Sequence, residues 1–174
     1  MIYLCEREIG FDTTEIGFPS VMGCRAIVLV TAGGLFGYHL NGSLSEGKKT
    51  AFKKFITKHV HGHSRRKLYA ASSGAGSQAD HDELRDIAHA LKYAGTIYWA
   101  SLPGAGSSFV HYQDINHNTC AVTSRQWIDA NDSILTNKGK YIGENRAIAN
   151  GVASGAMYIK VDCNGLVGRY PNPI

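Results

Sequence analysis

The stretch from Val21 to His39, VMGCRAIVLVTAGGLFGYH, decides the fold because its pattern is typical of a buried β-hairpin. Residues 25–30 are mainly aliphatic or β-branched, and residues 35–40 resume this pattern after the sequence Thr31-Ala32-Gly33-Gly34. Two such runs joined by a short glycine-containing turn predict a pair of antiparallel strands. A four-residue loop over 31–34 and a two-residue loop over 32–33 give the same register, whereas a loop of odd length does not.

The predicted register brings Cys24 and His39 to the same end of the hairpin. Cys24 faces Asn41, and His39 lies two residues before Asn41 on the same face, so the Cα atoms of the pair are roughly 7–8 Å apart. An imidazole that accepts the thiol proton lowers the thiol pKa and creates a nucleophile. Gly23, without a side chain, lets a substrate carbonyl approach, and nearby backbone N–H groups can stabilise its oxyanion. The alternative is a buried structural cysteine.

Two amphipathic helices are predicted in the middle of the chain. Ser43 and Glu46 have capping-box spacing ahead of a helix over about 45–59, whose apolar positions lie opposite its lysines. The second helix follows the loop 72–77, with Asp80 and Glu83 in capping positions and Gly95 as its stop.

The remaining segments are predicted mainly as strands, while residues 10–20, which contain Pro19, are predicted as a loop. The predicted strands are 2–5, 68–71, 96–100, 108–113, 120–123 and 133–136, followed by a closing hairpin over 158–170 that turns at Asn164-Gly165. Strands concentrate in the C-terminal half and helices in the middle, which predicts an α+β fold with a mixed β-sandwich core flanked by helices.

Length and composition bound the possible functions. The 174 residues suit a single domain, 1–174. The formal net charge of +4 is too small and too dispersed to predict nucleic-acid binding. The four cysteines show no metal-binding or redox spacing and are predicted to be free thiols. The N-terminal apolar run 2–5 is too short for a signal peptide, and no apolar stretch is long enough to span a membrane.

The order Gly-Cys, apolar strand, glycine-containing turn and histidine resembles the catalytic segment of the bacterial cysteine glutamine deamidases. This superfamily includes the cytotoxic necrotizing factors, the Burkholderia lethal factor and the chemoreceptor deamidases. The first two groups have the motif Leu-Ser-Gly-Cys, of which Gly23 and Cys24 match in Val21-Met22-Gly23-Cys24, and the 15-residue step to His39 is similar to that of the necrotizing factors. The resemblance covers residues 21–39.

The resemblance implies a single catalytic domain similar to that of the necrotizing factors, with Cys24 as nucleophile, His39 as base, and neither metal nor cofactor. These enzymes also have a third group that orients the histidine, a threonine side chain in some and a backbone carbonyl in others. The threonine is expected six residues before the cysteine, where Phe18 stands. A carbonyl of the loop before Cys24, or the hydroxyl of Thr13 or Thr14, is therefore expected instead, and Thr14 is taken with Gly23 as a supporting residue.

The implied reaction converts a glutamine side chain of a target protein to glutamate through a thioester. A small GTPase, a translation helicase and a chemoreceptor are the targets that the resemblance suggests. The implied biology is that of a toxin or effector made in the bacterial cytoplasm and delivered to the cytosol of a target cell. Transglutamination and proteolysis use the same thiol chemistry and stay open as alternatives.

A second hypothesis makes the protein a non-catalytic binding module. His59, His61 and His63 alternate along the chain, and on a strand the three imidazoles would share one face that could hold a metal or contact a partner. The neighbouring lysine-rich helix and basic run favour a solvated helix end. The loop 72–77 lacks the Lys-Ser/Thr of a phosphate-binding loop, and the sequence contains no GxSxG motif.

Overall fold

The computed structural model describes residues 1–59, 65–73, 77–102, 105–127, 157–159 and 166–169. Within these residues the fold is α+β, with two β-sheets and two helices. None of the helices in this part of the chain has both the length and the apolarity that a membrane span needs.

The central hairpin has the predicted register. Strands β4 (Arg25–Thr31) and β5 (Gly34–Leu40) are antiparallel, with Thr31 opposite Gly34 and Arg25 opposite Leu40. The connection is therefore the two-residue loop 32–33. The Thr31 hydroxyl donates a hydrogen bond of 3.0 Å to the Gly34 carbonyl, which closes the turn from within.

The hairpin forms the middle of a seven-stranded mixed sheet. Its other strands are β2 (Ile9–Asp12), β6 (Arg65–Ser72), β7 (Ile97–Ser101), β10 (Met157–Ile159) and β11 (Leu166–Arg169), and the order across the sheet is β10-β2-β5-β4-β6-β7-β11. Only the pair β6 and β7 is parallel in this sheet. Helix α2 (Gln78–Ala90) lies between these two strands in sequence, as a parallel connection requires.

A second sheet of four strands packs on one face of the large sheet. Its strands are β1 (Ile2–Tyr3), β3 (Glu15–Val21), β8 (Ser107–Asp114) and β9 (Cys120–Trp127), in the order β1-β3-β8-β9. The apolar layer between the sheets includes Ile16, Val28 and Val110, all fully buried. This layer is the core of the predicted β-sandwich.

The two helices cover the opposite face of the large sheet. Helix α1 (Glu46–His59) buries Phe52, Phe55 and Ile56, and helix α2 (Gln78–Ala90) buries Leu84 and Ile87 in the same apolar cluster. The large sheet is therefore apolar on both faces, which explains why β4 is a nearly continuous apolar run.

The prediction of a loop over 10–20 was wrong, because this segment contains most of β2 and all of β3 except its last residue. The sequence Pro19-Ser20 favoured a loop in the prediction, because proline lacks the N–H that a strand needs to pair within a sheet. The pairing of β3 with β8 shifts between Phe18 and Val21, and Ser20 has a φ of 56°. The proline is therefore accommodated at a β-bulge within the strand.

The predicted closing hairpin over 158–170 was also wrong. Strand β10 pairs with β2 and strand β11 pairs with β7, so the two strands lie at opposite edges of the large sheet. The predicted turn at Asn164-Gly165 and the predicted strand 133–136 lie outside the described residues.

The helix caps differ from the predicted ones. Helix α1 begins at Glu46, and the Ser45 hydroxyl, not that of Ser43, accepts the N–H of the first turn at 3.3 Å. Ser77 caps α2, so the acidic residues at 80 and 83 lie within the helix. Helix α2 ends before Gly95, because Lys92 takes the left-handed conformation, φ 52°, that closes a Schellman motif.

The contact between the N-terminal segment and β5 depends on a glycine. A Cβ atom at Gly37 would lie 2.6 Å from Leu4 Cδ1 and 2.9 Å from Ile16 Cδ1. We expect Gly37→Ala to lower the free energy of unfolding by about 1–3 kcal/mol, the usual cost of overpacking a core. Denaturant titration measures this. Gly47→Ala is the control, because a Cβ there in α1 meets only Ser45 Oγ, at 3.9 Å; it should stabilise by about 0.5–1 kcal/mol, and equal effects of both variants would refute the prediction.

Candidate active site

Cys24 lies in a bend at the entrance to β4. The bend spans residues 22–24, between β3 and β4, and the Cys24 thiol donates a hydrogen bond of 3.3 Å to the carbonyl of Met22. The cysteine is 7% exposed. Gly23 has a φ of 69°, and a Cβ atom added there would meet no atom within 4 Å. The chain beside the thiol is thus open in the direction in which a Cβ atom at Gly23 would point.

His39 is held in the interior of β5. The residue is fully buried, and its Nδ1 hydrogen-bonds the backbone carbonyl of Leu4. Because a carbonyl oxygen only accepts hydrogen bonds, Nδ1 carries the proton in this contact and Nε2 is the basic nitrogen of the neutral ring. The ring packs edge-on against Phe18, with centroids 5.7 Å apart.

The hairpin brings Cys24 and His39 to the same end of the large sheet. Their side chains do not lie on the same face of that sheet. Ala26 pairs with His39, so Cys24 lies two residues beyond the partner of the histidine. The bend interrupts the alternation of side chains on which the same-face prediction relied. Cys24 packs in the apolar cluster beneath the helices, whereas the His39 ring contacts Phe18 of the layer between the sheets.

Thr14, predicted as a supporting residue, lies at the far end of β5. Its hydroxyl donates to Asp12 Oδ1 at 3.2 Å, and Asp12 pairs with Leu35. Four residues along a strand separate Leu35 from His39, roughly 13 Å. The group that hydrogen-bonds His39 Nδ1 is instead the Leu4 carbonyl, a partner that the sequence analysis did not include.

The sequence also did not predict a cluster of charged side chains that lies next to Cys24. Arg25 forms ion pairs with Asp80 and Glu83 of α2, and the Ser72 hydroxyl donates to the second oxygen of Asp80 at 2.5 Å. Glu83 also accepts the backbone N–H of Leu44 at 3.0 Å. The cluster ties the start of β4 to α2, to the end of β6 and to the segment before α1, and so fixes the residue that follows Cys24.

The other described cysteines differ from Cys24 in their environment. Cys120 is buried, and desolvation together with the charge of Asp114 raises the pKa of its thiol to about 12. A thiol with that pKa stays protonated near neutral pH and reacts slowly with electrophiles. Cys5 is half-buried in the N-terminal turn. No disulfide joins Cys5, Cys24 and Cys120.

Of the three histidines in the predicted cluster, only His59 lies among the described residues. His59 ends α1, and its ring packs on Phe55 with centroids 4.7 Å apart. His61 and His63 lie outside the described residues. Over the described ranges, no three histidine, cysteine or acidic side chains are arranged to hold a metal ion.

Comparison with known proteins finds no family model, no curated protein and no solved structure that matches this chain.

Proposed function

We propose that the protein is a cysteine-dependent protein-glutamine deamidase of the toxin or effector type, with Cys24 as nucleophile and His39 as base. The hydrogen bond from His39 Nδ1 to the Leu4 carbonyl carries the proposal, because it supplies the orienting group that a Cys-His enzyme needs. The match of Gly23, Cys24 and His39 to the deamidase segment supports the choice of reaction.

The proposed reaction requires the bend 22–24 to turn the Cys24 thiol from the apolar cluster beneath the helices toward His39. His39 Nε2 then accepts the thiol proton, and the Cys24 sulfur attacks the carboxamide carbon of a glutamine. The C–N bond breaks as the imidazolium returns the proton to the nitrogen, and ammonia leaves a thioester. Water, deprotonated by His39, then attacks the thioester, which releases glutamate and the free thiol. No oxidant, reductant, metal or cofactor enters this balance.

The open surface beside Gly23 is suited to a protein substrate. Met22, next to it, is 62% exposed, so an apolar side chain borders the place where the carboxamide would enter. The proposed partner is a protein that presents a glutamine on an accessible loop, and a small GTPase, a translation helicase and a chemoreceptor are the candidates. Delivery into a target cell belongs to the same proposal.

The first test of the proposal is the pH dependence of Cys24 alkylation by iodoacetamide, followed by peptide mass spectrometry. We expect labelling with a midpoint below about pH 7, as for other thiols paired with imidazolium. In His39→Gln, whose amide can still donate to Leu4 O, the midpoint should rise to about 8.5, the value of an ordinary thiol. The rate at pH 6.5 should then fall at least tenfold.

Cys120 is the internal control in the same samples, because its raised thiol pKa should keep it unlabelled across this pH range. If Cys24 reacts as slowly as Cys120 in the wild type, the proposal is contradicted. If Cys24 is reactive, a protein extract treated with the wild type and with Cys24→Ser is compared for glutamine-to-glutamate changes. Isopeptide bonds or chain cleavage would instead identify transglutamination or proteolysis.

A further inference from the structure

The N-terminal turn before β2 places a buried carboxylate behind the Leu4 carbonyl. The turn spans Cys5 to Glu8, with the Glu8 N–H donating to the Cys5 carbonyl at 3.0 Å and Arg7 at φ 75°. The Glu8 side chain folds back into the turn, and its Oε2 accepts the Cys5 N–H at 2.7 Å. Glu8 is fully buried.

The peptide bond between Leu4 and Cys5 is therefore hydrogen-bonded at both ends. Its N–H donates to the Glu8 carboxylate, and its C=O accepts from His39 Nδ1. A carboxylate on the N–H side increases the negative charge on the carbonyl oxygen, because hydrogen bonds in a chain polarise one another. The oxygen that faces His39 thus becomes a stronger acceptor.

We infer that Glu8 is a positioning residue for His39, acting through the Leu4–Cys5 peptide in the place where an aspartate acts directly in a Cys-His-Asp triad. The inference rests on the proposed function only in giving His39 the role of base. The carboxylate has two effects on the ring: it fixes the Nδ1–H tautomer, and it favours the imidazolium that forms when Cys24 loses its proton.

The surrounding backbone holds this arrangement rigid. The His39 N–H donates to the Glu8 carbonyl at 2.7 Å, and the Arg7 N–H donates to the His39 carbonyl at 2.9 Å. The Leu4 N–H is bound to the Gly17 carbonyl of β3 at 2.8 Å. Leu4, Glu8 and His39 therefore keep one geometry relative to one another.

The burial of Glu8 argues against a role confined to the turn. A turn needs no charge to close, and burying a carboxylate costs several kcal/mol unless it is compensated. The segments bordering His39 also carry other titratable side chains: Cys5, the exposed Glu6 and Arg7 in the turn, Asp12 on β2, Glu15 on β3, Tyr38 on β5, His111, Tyr112 and Asp114 on β8, and Cys24 and Arg25 at β4. Arg25 is paired with Asp80 and Glu83. Glu8, at 0% exposed, is the most deeply buried carboxylate among the described residues on these segments.

The test replaces Glu8 with glutamine, which keeps an acceptor for the Cys5 N–H and removes the charge. We expect the titration midpoint of His39, followed by NMR of its ring nitrogens, to fall by about one pH unit. Alkylation of Cys24 at pH 6.5 should slow about tenfold, because the thiolate loses its imidazolium partner. Glu6→Gln is the matched control, since it removes the same charge from an exposed position of the same turn.

Identical His39 midpoints in Glu8→Gln and Glu6→Gln would overturn the inference. If Glu8→Gln does not fold, a measurement on the wild type tests the inference instead. The NMR signal of the Cys5 amide proton should shift as His39 titrates, and an unchanged signal would overturn the inference. The two proposals fail separately. If the His39 midpoint depends on Glu8 but Cys24 does not react with iodoacetamide, only the deamidase proposal is contradicted. If Cys24 reacts in a His39-dependent way and Glu8→Gln does not change its rate, only the role of Glu8 is contradicted.

Discussion

Arg25→Met is expected to lower the free energy of unfolding by about 3 kcal/mol, the lower end of the range for breaking a buried ion pair. The substitution leaves the Asp80 and Glu83 carboxylates facing each other without a cation. Asp80 is buried and Glu83 is 22% exposed on its side chain, so water compensates only one of the two charges well. Denaturant titration at neutral pH measures the change.

The control for this prediction is Lys49→Met. Lys49 also pairs with two carboxylates, those of Glu46 and Asp86, at 2.5 and 2.8 Å. Both of its partners are exposed, so solvent already screens the interaction and we expect little change in stability. If Arg25→Met were as mild as Lys49→Met, the charge cluster would not hold the start of β4. An intact Cys24 alkylation profile in Arg25→Met would further show that the thiol does not depend on it.

The sequence predicts the part of the fold that local patterns specify. The hairpin β4-β5 was confirmed down to its register because two apolar runs and a glycine turn lie within one stretch of the chain. Strand β3 was missed, since a single proline in a bulge outweighed the apolar residues on either side. The closing strands β10 and β11 were assigned to each other because they are neighbours in sequence, although each completes a different edge of the large sheet.

The candidate site could likewise be predicted only in part from the sequence. Cys24 and His39 could be proposed from one segment, but the groups around them come from distant parts of the chain. Leu4 lies 35 residues from His39 in sequence, and Arg25 lies 55 residues from Asp80. Neither contact follows from a motif or a period. The sequence did not mark Glu8 as buried either, because it directly follows the charged residues Glu6 and Arg7.

Phe18→Ala is expected to lower the free energy of unfolding by about 3–5 kcal/mol, as for other fully buried aromatic side chains. The Phe18 ring contacts both His39 and Tyr112, with centroids 5.7 and 5.6 Å away. Removing it opens a cavity between the two sheets and takes away one wall of the histidine site. Urea denaturation followed by circular dichroism gives the magnitude.

Phe18→Leu separates the packing role of this residue from its contact with the histidine. Leucine retains most of the apolar volume, so the stability cost should stay below about 2 kcal/mol, while the edge-on aromatic contact with the imidazole is lost. If that contact helps to orient His39, the folded Phe18→Leu protein should show slower Cys24 alkylation at pH 6.5 than the wild type. A cost below about 1 kcal/mol for Phe18→Ala would show that the layer between the sheets closes around the missing ring, and an unchanged alkylation rate in Phe18→Leu would leave the Leu4 carbonyl as the group that orients the histidine.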